Sequence, residues 1–351
     1  MRPRIHDDDR LAIGLDIGGT KIAAGVADAG GRIVERVPAV PCPSDQAAIL
    51  KAVSVLVEEL HARHPGTVAV GVGAAGLIHW PEGRIRTAPN NAYRDLPLRR
   101  LLQEATGLPA LVDNDANAAC WAEYRKGNSA AYMAFITVGT GVGGGLVLAD
   151  RLFRGRTGIA MEFGHTIVDP HGTERCGCGV VGCLEPLASG PALGRYGSAA
   201  AAAEPGGTLA TLAGGPGRVT GETVTAAART GDPAARAQLE RLGHWLGIGI
   251  ATLVNLFDVE LVVVGGGVAE AGELLLAPTR SSFARYVTAA AHRELPAIKP
   301  ARLGPEAGWI GAALLALDQD EPAPGEEGQE GEEGQEGQDG QEVREGPAGG
   351  A

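Results

Sequence analysis

Residues 162–185 read EFGHTIVDPHGTERCGCGVVGCLE, and the rest of the chain is arranged around them. Cys176, Cys178 and Cys183 form a C-x-C-x4-C cluster spaced by Gly177, Gly179 and Gly182, with His165 upstream and His171 between. Three thiolates and one imidazole on a glycine-punctuated loop are what tetrahedral zinc asks for. C-x-x-C is absent, and C-x-C closes only a strained disulfide ring, which argues against a redox pair. The turn Asp169-Pro170-His171-Gly172 allows either imidazole to reach the metal. Glu162 and Glu185 bracket the loop, so a metal that ties it down also holds these two acids in fixed relation, as a polar ligand site requires.

At 351 residues the chain exceeds what one core usually supports, so two domains are expected. Aromatic residues are only 4% while Gly reaches 54, a composition for close-packed α/β structure built from small and branched side chains. Beyond residue 320 there are ten acidic residues against Arg344 alone, so the net charge of −12 falls to −3 for everything before them. A near-neutral body carries no basic excess for nucleic acid. Residues 1–10, MRPRIHDDDR, lack the apolar core of a secretory signal, and the longest apolar segment, 245–257, is too short and too glycine-rich to span a bilayer. Five cysteines, three of them clustered, fit a reducing cytoplasm better than a disulfide framework.

Residues 11–37 read as two strands joined across a glycine turn and then a third, an antiparallel meander opening an α/β domain. Apolar residues at Ile49, Val53, Leu56, Val57 and Leu60 keep a helical period. A strand over 67–76, a polar loop over 85–94, a helix over 98–106 and a strand over 108–112 follow. Asp and Asn residues in DNDANAACWAEYRKG then cap a helix. Strands over 133–138 and 145–149 flank GTGVGGG. After the cysteine loop come a helical stretch, a polar Gly-rich interval over 204–221, helices over 232–257, a buried strand over 260–264 and a small-residue helix over 307–317. Residues 319–351 are acidic, low in complexity and almost without apolar side chains, which predicts disorder.

Three glycine clusters follow strands: Asp16-Ile17-Gly18-Gly19-Thr20-Lys21, then Gly139-Thr140-Gly141 with Gly143 beyond, then Gly265-Gly266-Gly267. Backbone amides freed from side-chain bulk cradle phosphate oxygens, and Thr20 and Thr140 add hydroxyl donors. The G-x-G-x-x-G at Gly139 is followed by a strand rather than the helix of a dinucleotide fingerprint, and Lys21 lacks Walker spacing. Asp16 closes a strand at the mouth of the first cluster, where it can hold Mg²⁺ through water or simply shape a turn. Asn114 and Asp115 end another strand and open a helix. There a carboxylate can take a proton from a substrate hydroxyl, or merely cap the helix. Asn90, in TAPNNAYRD, is a further candidate for polyol binding.

DIGGTK, DNDANAA, GTGVGGG, EFGH leading into CGCGVVGCLEPLASG, and VVVGGGV, in that order, resemble the ROK family of sugar kinases and repressors, with a likeness to its actinobacterial type of glucokinase. The resemblance spans residues 11–317. It implies an actin/hexokinase-like (ribonuclease H-like) α/β fold of two domains with a cleft between them. The domains would comprise 11–114 plus 305–318 (small) and 115–304 (large, with the zinc loop), framed by an extension 1–10 and the tail 319–351. It implies ATP- and Mg²⁺-dependent phosphorylation of a hexose, glucose at its 6-hydroxyl, with Asp115 as base. Gly76, Asn90, Asn114, Glu162, His165 and Glu185 would bind the other hydroxyls. His165, rather than His171, would complete a structural zinc site with the three cysteines, and a homodimer or homotetramer is expected. Another hexose (fructose, N-acetylmannosamine, N-acetylglucosamine or allose), polyphosphate as donor, and a non-catalytic sugar sensor are the alternatives. The family's repressors carry a DNA-binding domain ahead of DIGGT, for which ten residues are too few.

Overall fold

The run LAIGLDI is covered on both faces, with Ala12, Ile13, Leu15 and Ile17 fully buried, and so becomes the central strand of a sheet rather than an edge. The computed structural model describes residues 10–88 and 91–318. Residues 1–9, Asn90 and the tail 319–351 lie outside the described residues. In chain order the elements are β1 (Leu11–Ile17), β2 (Lys21–Asp28), β3 (Ile33–Pro41), α1 (Gln46–Arg63), β4 (Thr67–Ala74), β5 (Leu77–His79), β6 (Arg84–Ala88), β7 (Asn91–Leu96), α2 (Leu98–Thr106), β8 (Ala110–Asn114) and α3 (Asp115–Ala122). There follow β9 (Tyr132–Val138), β10 (Val142–Leu148), β11 (Arg151–Leu152), α4 (Glu185–Ala188), α5 (Gly190–Ala203), α6 (Thr208–Ala213), α7 (Gly221–Arg229), α8 (Pro233–Phe257), β12 (Leu261–Gly265), α9 (Glu273–Tyr286), β13 (Ala297–Pro300) and α10 (Ala307–Leu317).

One sheet runs β3-β2-β1-β4-β8 and another β11-β10-β9-β12-β13. In each, the first three strands form an antiparallel meander and the last two join parallel to the meander's first strand and to each other. The same topology twice over is the actin/hexokinase-like fold, as the family resemblance implied. Helix α3 lies between the two sheets. Its Ala118 and Ala122 pack with α10 against the first, while Cys120 joins Met133, Phe135 and Val263 of the second. Contact there is backbone to backbone: a Cβ at Gly71 would lie 1.7 Å from the Ala312 carbonyl oxygen, and one at Gly311 1.7 Å from that of Ala118. Only glycine lets α10 come this close to the sheet and to α3.

Three sequence expectations change. The polar loop over 85–94 is instead a small antiparallel sheet, β5-β6-β7, whose Ile78, Ile85, Tyr93 and Leu96 are buried over the first sheet's helices. Its charged residues pair across strands on the exposed face, Arg84 and Arg86 both with Asp95, while the buried residues supply the packing. The strand expected from Gly145 begins at Val142, so Gly143 to Gly145 are ladder residues, and the interval 204–221 contains α6. Among the described residues no helix is long and apolar enough to cross a membrane.

Candidate active site

Strand β8 ends and α3 begins at Asn114, whose side chain caps the helix: its Oδ1 accepts from the amides of Ala116 (2.9 Å) and Asn117 (3.1 Å). Its Nδ2 donates to the Gly76 carbonyl at 3.3 Å, leaving the second Nδ2 hydrogen for a ligand. Asp115 is the first residue of the helix and accepts from the Ala116 amide at 2.8 Å, so the dipole end of α3 steadies its charge. Burial nevertheless raises its carboxyl above the usual carboxylate range. Asp16, at the end of β1, is raised to about 7, first by burial and then by the charge of Asp115, with Lys21 pulling the other way. An under-neutralised pair of carboxylates beside an anion-binding cavity is chemically suited to a divalent cation.

The cysteine loop is folded by two one-residue bridges, Ile167 with Cys183 and Arg175 with Val181. Gly182, at a φ of 94°, makes the turn between them. The ligand atoms of His165, Cys176, Cys178 and Cys183 all lie within 4.8 Å of one another. Two edges of this cluster are 3.4 Å (His165 Nδ1 to Cys176 Sγ) and 3.7 Å (Cys178 Sγ to Cys183 Sγ). A tetrahedron with Zn–S of about 2.3 Å and Zn–N of about 2.0 Å has edges of about 3.5 and 3.8 Å, so the donor set fits zinc. His171 is exposed and outside the cluster. With Nδ1 toward the thiols, His165 turns Nε2 toward Glu162 Oε2, 3.8 Å away. Met161, held at a φ of 66°, swings the chain so that Glu162 follows it toward the same space. The Glu162 carboxyl is raised chiefly by burial, is lowered by His165, and is raised further by Asp115 and Glu185, so the three acids share one site. Glu185 is itself oriented by the Val142 amide, which donates to its Oε2 at 3.0 Å.

Two cavities adjoin this cluster. One, of about 580 Å³, has Asp16, Lys21, Asp115, Gly265 and Gly266 on its walls. The other, of about 940 Å³, is lined by Gly139, Thr140, Gly190, Thr220 and Glu222, and Gly267 and Glu270 border both.

The ROK family profile matches residues 12–319, nearly the whole described chain. The chain belongs to the ROK family. The glucokinase of Streptomyces coelicolor is 42% identical over 315 residues, covering 88% of this chain and 98% of that one. A crystal structure of a ROK family glucokinase from Streptomyces griseus in complex with glucose and AMPPNP matches with a TM-score of 0.79 at 43% identity, over 87% of this chain and 99% of that one. A ROK hexokinase from Thermus thermophilus matches with a TM-score of 0.73 at 38% identity, over 87% and 97% of the two chains.

In this ROK chain Asp16, Lys21, Asp115, Gly139, Thr140 and Gly265 to Gly267 line the cavities, while Asn114 and Gly76 bond each other, and Glu162, His165 and Glu185 meet at the cysteine loop. Gly141 lies against Glu185, and Gly143 is paired with Thr137 inside β10. Gly18 closes the β1–β2 turn by donating to the Lys21 carbonyl, with Gly19 and Thr20 between them. The first residues of α5 and α7, at Gly190 and Gly221, went unread. Both helices open on the larger cavity; the α5 first-turn amides are spent on Gly139 and Ser189, whereas α7 brings the backbone of Gly221 and Glu222 to its wall. The signals were present: Ser189 caps α5 ahead of Pro191, and Thr220 forms a capping box with Thr223.

Proposed function

We propose that this protein transfers the γ-phosphoryl group of ATP to the 6-hydroxyl of glucose. The observation that carries the reading is the position of Asp115, which is on the wall of the glycine-lined cavity and close enough to Glu162 for its charge to raise the Glu162 carboxyl. A base at that seam faces a sugar on one side and a phosphate chain on the other. Glu162, Glu185, Asn114 and His165 Nε2 offer acceptors and donors to an uncharged polyol, and the three acids repel an anionic one. The likeness to the Streptomyces griseus glucokinase with glucose and AMPPNP supports both substrates.

Asp115 orients the 6-hydroxyl and takes its proton as that oxygen bonds the γ-phosphorus and the bond to the ADP oxygen breaks. Amides of the glycine clusters and of the α7 first turn hold the departing phosphates. Asp16 would hold Mg²⁺ through water, and the ion would supply positive charge to the phosphate oxygens. His165, Cys176, Cys178 and Cys183 would hold zinc, which would fix the loop and with it Glu162 and Glu185. The lobes, divided as 11–114 plus 305–318 and 115–304, close over the hexose and exclude water, which would otherwise accept the phosphoryl group. A cytoplasmic homodimer or homotetramer belongs to the same reading.

A coupled ADP-release assay over a panel of glucose, fructose, N-acetylmannosamine, N-acetylglucosamine and allose, with ATP or polyphosphate as donor, tests it. Glucose with ATP is expected to give the highest kcat/KM. Turnover on none of the hexoses, with glucose still bound, would instead leave a sugar sensor.

A further inference from the structure

Asp113, the residue before the Asn114-Asp115 pair, is buried and has no role in the reaction described above. Its carboxylate is fully engaged. Oδ1 accepts from the Asn114 amide at 2.7 Å and from Asn117 Nδ2 at 2.9 Å, and Oδ2 accepts from Arg154 Nε at 2.6 Å. The side chains of this ion pair are 2% and 17% exposed, so water screens it little. Arg154 comes from the other sheet's side of the molecule, just after β11, and its guanidinium stacks 3.9 Å from the centre of the Trp80 ring.

The segment that follows Arg154 is docked by its backbone as well. The Trp80 amide donates to the Thr157 carbonyl at 3.0 Å, and a Cβ at Gly158 would lie 2.5 Å from the Ile78 carbonyl oxygen. Three residues beyond Gly158 the chain makes the left-handed turn at Met161 and presents Glu162. Arg154 therefore grips the strand end that carries Asn114 and Asp115 while standing on the segment that leads into the acid-bearing loop. Gly76, which receives the Asn114 Nδ2 bond, directly precedes β5, and Trp80 directly follows it.

We propose that Arg154 is a positioning residue that sets the spacing between Asp115 with Asn114 and Glu162 with His165, holding the two halves of the hexose site in register. It touches neither nucleotide cavity. Its loss is felt by the sugar and by phosphoryl transfer and not by the nucleotide. A misplacement of about 1 Å at a reacting pair costs ~10²-fold in rate.

The inference rests on the hexose kinase reading and fails separately from it. A wild-type protein that phosphorylates no hexose removes that reading, whereas an active wild type with an equally active Arg154→Gln removes this inference alone. Steady-state kinetics at 25 °C on the full-length protein are expected to give Arg154→Gln a kcat lowered 10- to 100-fold and a glucose KM raised several-fold. The ATP KM should stay within twofold, with zinc content unchanged. Arg154→Lys restores the charge but neither the planar stack nor the Nε bond, and should recover only part of kcat. Added guanidinium ion should restore part of the activity of Arg154→Ala, as it would not for a side chain that only raises the melting temperature. If Arg154→Gln does not fold, Arg154→Lys decides the matter: kcat and glucose KM within twofold of wild type overturn the proposal, and at least a fivefold loss of kcat with an unchanged ATP KM sustains it.

Discussion

Asp115 and Asp16 share one electrostatic neighbourhood but are expected to respond differently to loss of charge. Asp115→Asn keeps the hydrogen-bonding outline and removes the proton acceptor, so kcat should fall ~10²-fold or more while the glucose dissociation constant, read by calorimetry, barely changes. Turnover near wild type would place the base elsewhere. Asp16 affects stability as well as chemistry. With its carboxyl raised to about 7 from an ordinary 3.8, the folded chain holds a proton that the unfolded chain releases, so stability falls as pH rises between these values. Three units correspond to about 4 kcal/mol at full strength, and screening in an open cavity reduces this. Asp16→Asn should therefore stabilise the metal-free protein by about 1–3 kcal/mol at pH 8 and hardly at all at pH 4, a difference that urea titrations at the two pH values will reveal. Both residues were legible because short polar motifs at strand ends are conspicuous. That Asn114 spends its oxygen on the helix cap and has only an amide hydrogen left for a sugar depends on three bonds that no motif displays.

The meanders, α1, α8 and α10 were readable as elements because their apolar residues keep the period of the element. The β5–β7 sheet was not, since its outward residues are charged and its support comes from partners eleven residues away, Arg84 with Asp95. Close approach is the other property that periodicity conceals. Small residues along α10 identify a buried helix. Only the structure shows that Gly71 faces the Ala312 carbonyl and Gly311 that of Ala118. Gly71→Ala should cost about 3–5 kcal/mol and lower the melting temperature sharply, because backbone and not a flexible side chain must move. A second hidden support is Glu123, fully buried just beyond α3, whose Oε1 accepts from the amides of Arg302 (2.7 Å) and Leu303 (2.8 Å). It anchors the turn that brings Gly304 and Pro305 to the smaller cavity.

For the molecule as a whole, the cysteine loop supplies only part of the binding surface, and the nucleotide cavities are built without it. Their walls come from β1, the β9–β10 turn, the start of β12's glycine turn and the N-termini of α5, α7 and α10. The hexose side depends on the loop at both ends, through Glu162 with His165 and through Glu185, which also reaches back to the Val142 amide beside the second glycine cluster. Removing the metal should therefore separate the two ligands. Cys178 is the exposed member of the cluster, so Cys178→Ser disturbs packing least. The variant is expected to purify with well under one zinc per chain and to lose ~10- to 100-fold in kcat/KM for glucose. Binding of a fluorescent ATP analogue should remain within about twofold, and zinc added to chelator-treated wild type should restore glucose turnover. Equal losses for both ligands would mean that the loop holds up the whole lobe and not the sugar site alone.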